Sequence, residues 1–203
     1  MRIVGGALRG RPIASPKHEG LRPTSDRVRE SLFNILEHGV ADFSLAGARV
    51  IDLFAGTGAL GLEAMSRGAA FCLFVDTEVG ARALIRTNVE AFGLTGVTRI
   101  FRRDATDLGP AGTVAPFSLA FLDPPYEQGL AERALAALAA GGWLVPGAVV
   151  VVEERANAEV VLPHGFSQAD RRTYGDTQIL IARYGGEASA YSGSSGIRIH
   201  NRM

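Results

Sequence analysis

The 203-residue chain holds a single cysteine, a single tryptophan and no net charge, and each scarcity narrows what it can be. With Cys72 alone inside an apolar run, no disulfide or cysteine-based metal site can form within the chain, and the thiol reads as a small buried hydrophobe. The four histidines, His18, His38, His164 and His200, lack ligand spacing, so no metal is expected. No apolar run approaches the roughly 18 residues of a membrane helix. The opening residues disperse Arg2, Arg9 and Arg11 among glycines and lack the hydrophobic centre of a signal peptide. A cytoplasmic monomer is therefore expected, and the length suits one doubly wound α/β domain.

The neutral total conceals a division. Residues 1–29 carry seven Arg and Lys against Glu19 and Asp26, five net positive charges that the remaining residues balance. Gly5, Gly6, Gly10, Pro12, Pro16 and Pro23 favour an irregular or hairpin-like arm over residues 1–24, not a second folded domain. Such an arm, with Arg9, Arg11, Arg22 and Arg27, can grip nucleic-acid phosphates without reading sequence.

Arg49 to Phe54 reads as a short buried strand. It runs into Ala55-Gly56-Thr57-Gly58-Ala59-Leu60-Gly61 and then a helix over Leu62 to Arg67, stopped by Gly68. Gly56, Gly58 and Gly61 fit the G-x-G-x-x-G spacing, which lets the backbone turn tightly, approach a nucleotide-like cofactor and pack helix on strand. A second strand, Phe71 to Val75, ends in Asp76, twenty residues beyond Gly56, where a carboxylate can accept two ribose hydroxyls. NAD and S-adenosylmethionine share that ribose. Asp52 favours the latter, because a carboxylate beside the loop repels a pyrophosphate but can hold the amino group of a methionine portion. A backbone-bonding role in the turn is its alternative. A third strand, Val97 to Arg102, leads to Asp104-Ala105, placed to read an adenine ring or, alternatively, to cap the next turn.

The apolar run Phe117 to Leu122 closes on Asp123-Pro124-Pro125-Tyr126, which supplies what methylation of an exocyclic amino group needs. Such a nitrogen is a weak nucleophile until both N–H bonds are held by acceptors that aim its lone pair. The Asp123 carboxylate and Pro124 carbonyl are candidates, the two prolines stiffen the turn, and Tyr126 offers a flat face for a base.

A coarse pass completes the pattern. Thr24 or Ser25 can cap a helix over Asp26 to Glu37, with Val28, Leu32, Ile35 and Leu36 facing the core and Arg27 and Arg29 off that face. Further helices are predicted over Val79 to Phe92 and Leu130 to Ala140, a buried strand over Val149 to Val152, and a hairpin from Phe166 to Tyr184 around Gly175-Asp176 at one sheet edge. Alternating strands and helices imply a mainly parallel sheet, and Asp52, Asp76, Asp104 and Asp123 all fall at strand carboxyl ends, where such sheets bind ligands.

These blocks, with Gly20 to Asn34 and Tyr174-Gly-Asp-Thr177, resemble the RsmD family of bacterial 16S rRNA guanine-N2 methyltransferases over about residues 1 to 184. The resemblance implies a Rossmann-like class I methyltransferase with a seven-stranded sheet. It also implies S-adenosylmethionine as donor and a guanine of 16S rRNA, free or in the small-subunit particle, as acceptor. Asp123, Pro124 and Tyr126 become the catalytic set. Asp52, Ala55, Gly56, Gly58, Asp76, Asp104 and Ala105 become the cofactor set. The alternatives are methylation of adenine N6 in DNA or RNA, an NAD-dependent oxidoreductase, and a non-catalytic binding module. Residues 185–203 depart from the family pattern: 185–196 are linker-like and 197–203 show no periodic hydrophobic face, so a disordered tail without assigned function is expected.

Overall fold

Seven strands form one sheet in the order β3-β2-β1-β4-β5-β7-β6. They are β1 (Arg49–Leu53), β2 (Phe71–Val75), β3 (Thr98–Phe101), β4 (Phe117–Leu122), β5 (Leu144–Arg155), β6 (Phe166–Tyr174) and β7 (Thr177–Tyr184). Among the described residues four α-helices complete the fold: α1 (Asp26–His38), α2 (Ala59–Ser66), α3 (Val79–Phe92) and α4 (Leu130–Ala140). The computed structural model describes residues 1–16, 26–126 and 129–186, so the predicted cap at Thr24 or Ser25, Arg22, and nearly all of the predicted tail lie outside it.

The sheet's two faces follow from residue alternation along each strand. Val50, Cys72, Phe74, Leu119, Phe121, Val149 and Val151 meet the apolar sides of α1, α2 and α3. Ile51, Leu53, Leu73, Val75, Ala120, Leu122 and Val150 meet Ala131, Ala134, Leu135 and Leu138 of α4. Phe33 of α1 is wholly buried with its ring 5.6 Å from that of Phe121. Truncating such a ring to Ala costs about 3–5 kcal/mol, so α1 is firmly seated on the central strands.

Several boundaries differ from expectation. Helix α2 begins at Ala59, not Leu62, because Gly58 takes a left-handed conformation (φ 78°) as its N-cap. Strand β5 is longer than Val149 to Val152. It pairs Leu144 with Phe117 and then Val149 with Leu119, so exposed Pro146 and Gly147 sit in an irregularity that breaks the apolar pattern. The hairpin is present, but β7 lies between β5 and β6 and is antiparallel to both, leaving β6 at the edge.

Arg29 corrects the reading of α1. It is fully buried, pairs with Asp26 at 2.8 Å and Glu63 at 3.6 Å, and donates to the carbonyl of Arg2. Glu63, also fully buried, accepts the amides of Val4 and Gly5 and the Arg67 Nε, each at 2.8 Å. Buried charge survives here because every carboxylate oxygen has donors. This cluster binds the N-terminal residues into the body: Ile3 and Ile13 are buried, Arg2 and Pro12 form an antiparallel bridge, and Ser66 accepts the amides of Ala7 and Leu8 through its carbonyl and hydroxyl. Residues 1–16 of the predicted hairpin-like arm thus form a strap packed across α1, α2 and α3.

Candidate functional site

The carboxyl ends of β1, β2, β3 and β4 lead into the residues that the sequence singles out. After β1 the chain turns through Phe54, a non-glycine residue at φ 57°, and Gly56 and Gly58, both in the left-handed region. Strain of this kind persists where surrounding structure enforces it and gathers at ligand sites. The enforcement is visible: the Ala55 amide bonds the Val75 carbonyl, and the Gly56 amide bonds Asp76 Oδ2 at 2.8 Å. The three glycines do different work. A Cβ on Gly56 would meet only the Phe54 carbonyl, at 3.9 Å, leaving open space for a ligand. One on Gly58 would press on Phe74 and Ile85. One on Gly61 would lie 2.4 Å from Phe74 and 2.6 Å from Cys72 Sγ, so this position holds helix against sheet.

Asp52 is buried beneath the loop, with Oδ2 accepting the Gly61 amide at 2.9 Å. Burial pushes its carboxyl up to about 8, and the neighbouring Asp76 charge adds to this against the Gly61 bond. Asp76 is half-buried; besides Gly56, it accepts the Glu78 amide at 2.8 Å through Oδ1. Asp104 is exposed and accepts both the Thr106 amide and hydroxyl, the capping arrangement, which holds it below the usual carboxylate range; Ala105 beside it is buried.

Asp123 is half-buried one residue beyond β4, and Pro124 is buried behind it. Burial raises its carboxyl well above the ordinary range, reinforced by Glu153, then Asp52, then Glu154. Sequence reasoning missed Glu153 and Glu154, although an acidic pair closing the run Val149 to Val152 repeats the signal that marked Asp52, Asp76 and Asp123. Tyr126 donates its hydroxyl to Glu153 Oε1 at 3.4 Å and lies 3.3 Å from the Thr177 hydroxyl, while the Arg155 guanidinium lies 6.0 Å over its ring.

The structure does not bring all the predicted arginines to this pole. Helices α2 and α3 begin near the strand carboxyl ends and finish near the amino ends. The strap's turn, Gly6 to Gly10, packs against Ser66 at the end of α2, and Arg11 donates to the Ala91 carbonyl and stacks 4.8 Å from Phe92 at the end of α3. Exposed Arg9 and Arg11 therefore sit at the opposite pole. Arg27 is exposed in the first turn of α1, whose Ser31 touches Tyr174 of the hairpin (2.7 Å) on the site's side. A cavity of about 630 Å³ also lies at the amino pole, lined by Asp42, Ser118, Gly147 and Arg183, and contains none of the predicted site residues.

The family model described as Conserved hypothetical protein 95 matches residues 1–183. Ribosomal RNA small subunit methyltransferase D of Escherichia coli strain K12 is 37% identical over 194 residues, covering 95% of this chain and 93% of that protein. The chain belongs to the RsmD family. Another protein named Ribosomal RNA small subunit methyltransferase D, from Haemophilus influenzae, is 32% identical over 86% of this chain and 89% of its own. The solved structure of Escherichia coli yhhF superposes with a TM-score of 0.78 at 32% identity, covering 92% of this chain and 99% of that one. The mixed seven-stranded sheet is thus the class I methyltransferase fold of an RsmD-family protein, as the motifs implied. Among its described residues no helix is long and apolar enough to cross a membrane.

An RsmD-family site should accept S-adenosylmethionine, and the donor set fits. Asp76 acts on Asp52, and Glu153 and Asp52 act on Asp123, a gathering of carboxylates that suits a ligand bearing a sulfonium and an ammonium.

Proposed function

We propose that this chain transfers the methyl group of S-adenosylmethionine to the exocyclic N2 amino group of a guanine in 16S ribosomal RNA of the small subunit. The observation that carries the reading is the Asp123 turn standing beside the strained glycine loop, with Asp52 buried between them. The relatives' names supply the substrate class.

In this reading Asp52 and the loop Ala55, Gly56 and Gly58 hold the methionine portion, Asp76 the ribose, and Asp104 with Ala105 the adenine. Bound there, the cofactor supplies an electrophilic methyl group on a cationic sulfur. Asp123 and the Pro124 carbonyl accept the two N–H bonds of the guanine amine, aim its lone pair and stabilise the positive charge that grows on nitrogen. The amine sheds its proton only after or as the methyl arrives, so the site needs no strong base and Asp123 acts by orientation and charge. Pro124 and Pro125 bring no backbone donors to compete, and the Tyr126 ring packs on the base.

Phosphate contacts are assigned to Arg27 beside the site, to Arg22 and to Arg9. Arg11 contributes less, because its guanidinium is already docked on α3.

Methyl transfer from labelled S-adenosylmethionine to purified small-subunit RNA and to particles, followed by nucleoside analysis, tests the reading. N2-methylguanosine is expected; N6-methyladenosine, or no labelled nucleoside, would overturn it.

A further inference from the structure

The hairpin turn Tyr174-Gly175-Asp176-Thr177 lies outside the residues assigned to cofactor and base, yet it is tied down at both ends. The Tyr174 hydroxyl lies 2.7 Å from Ser31 Oγ of α1. The Asp176 carbonyl accepts the Ala156 amide at 2.9 Å, just beyond β5. Thr177 stands opposite Arg155, and Glu153 opposite Ile179, in the β5–β7 ladder, so Glu153 and Thr177 project from the same sheet face. Tyr126 reaches both. Its O–H donates to Glu153 Oε1, which leaves the Thr177 hydroxyl to donate to the Tyr126 oxygen. Glu153 itself is 4% exposed, so a donor is held against a carboxylate that water scarcely reaches.

Tyr126 follows two prolines, and its hydroxyl reaches side chains on two other strands. A ring needed only as a stacking surface would not use that hydroxyl. We propose that Glu153 and Thr177 are positioning residues that clamp Tyr126, and through it the Asp123 turn, in the geometry for methyl transfer, with the Tyr174–Thr177 turn as the rigid mount. This inference rests on the methyltransfer reading of the site.

The test is a pair of double-mutant cycles with Tyr126→Phe, Glu153→Gln and Thr177→Val. Each single change should slow single-turnover transfer to small-subunit particles by about tenfold or more at saturating cofactor, with S-adenosylmethionine affinity within about twofold of the parent. Tyr126→Phe combined with either partner should be no slower than the slower single variant, and Thr177→Ser should recover most of the Thr177→Val loss. Parent-like rates in the single variants, or losses that multiply, would overturn the clamp. Denaturant unfolding of the same variants without cofactor or RNA provides a readout independent of activity. Non-additive stabilities for Tyr126→Phe with Thr177→Val would support the contact, and additive ones would refute it. A parent that transfers no methyl group but shows the coupling would refute the assigned reaction while leaving the contact intact.

Discussion

Two buried acid sites in this molecule are built in opposite ways. Glu63 sits under the N-terminal strap with Arg29 and Arg67 beside it and two backbone amides on its oxygens. Asp52 and Asp123, at the carboxyl pole, are shifted first by burial, and other carboxylates push them the same way. The first arrangement is complete as it stands and holds elements together. In the proposed reading the second is completed by the cationic cofactor, so part of the fold's stability is set aside for binding.

The contrast breaks most sharply at Glu63. Glu63→Ala leaves two buried guanidinium groups and two amides without their acceptor, so unfolding should become easier by about 3–5 kcal/mol. Denaturant titration reads this, and a loss below about 1 kcal/mol would show the cluster to be dispensable.

At the other pole, Asp123→Asn should spare the fold and strike the chemistry. It keeps the size, removes the charge and can turn a donor toward the amine, so single-turnover transfer should fall at least about a hundredfold, or about 2.7 kcal/mol of barrier. Cofactor affinity should stay within a few-fold.

Asp52 sharpens the comparison through pH. Its folded value of about 8 exceeds the ordinary 3.8, so its contribution to ligand-free stability is full below about pH 4 and lost as the pH rises through 8. Asp52→Asn, which can still accept the Gly61 amide, should therefore raise the ligand-free melting temperature at about pH 9 while weakening S-adenosylmethionine by about 1.5–3 kcal/mol. In the parent, calorimetry should show affinity rising with pH and levelling near 8, because binding a cation ejects the proton. A flat profile from about pH 6 to about pH 9 would remove Asp52 from the cofactor site.

The smallest effect concerns RNA. Arg27→Ala should flatten the salt dependence of RNA binding by up to about one log unit per lost phosphate contact, and Arg11→Ala by less. Equal slopes for both would place the RNA track across the strap as well as the carboxyl pole.

The sequence displays the fold through its strand–helix alternation and the site through acids at strand ends, and both are readable because period and punctuation are local. What it hides is set by distant partners. Arg29 looks solvent-facing on a helical wheel because Glu63, thirty-four residues away, and the Arg2 carbonyl are invisible from α1 alone. Arg11 looks free until Ala91 and Phe92 arrive beside it. The β5 irregularity disguises an unbroken strand, and the Glu153–Tyr126–Thr177 contact exists only once three strands are aligned.

The threading of β7 between β5 and β6 has a consequence for synthesis. Until residues 177–184 have emerged, the all-valine stretch Val149–Val152 is an unprotected sheet edge, with β6 able to dock beside it in the wrong place. The sheet closes by a late, long-range insertion, a slow kind of step. A chain halted just before Thr177 would carry the glycine loop and the Asp123 turn and still expose this edge, a state prone to aggregate.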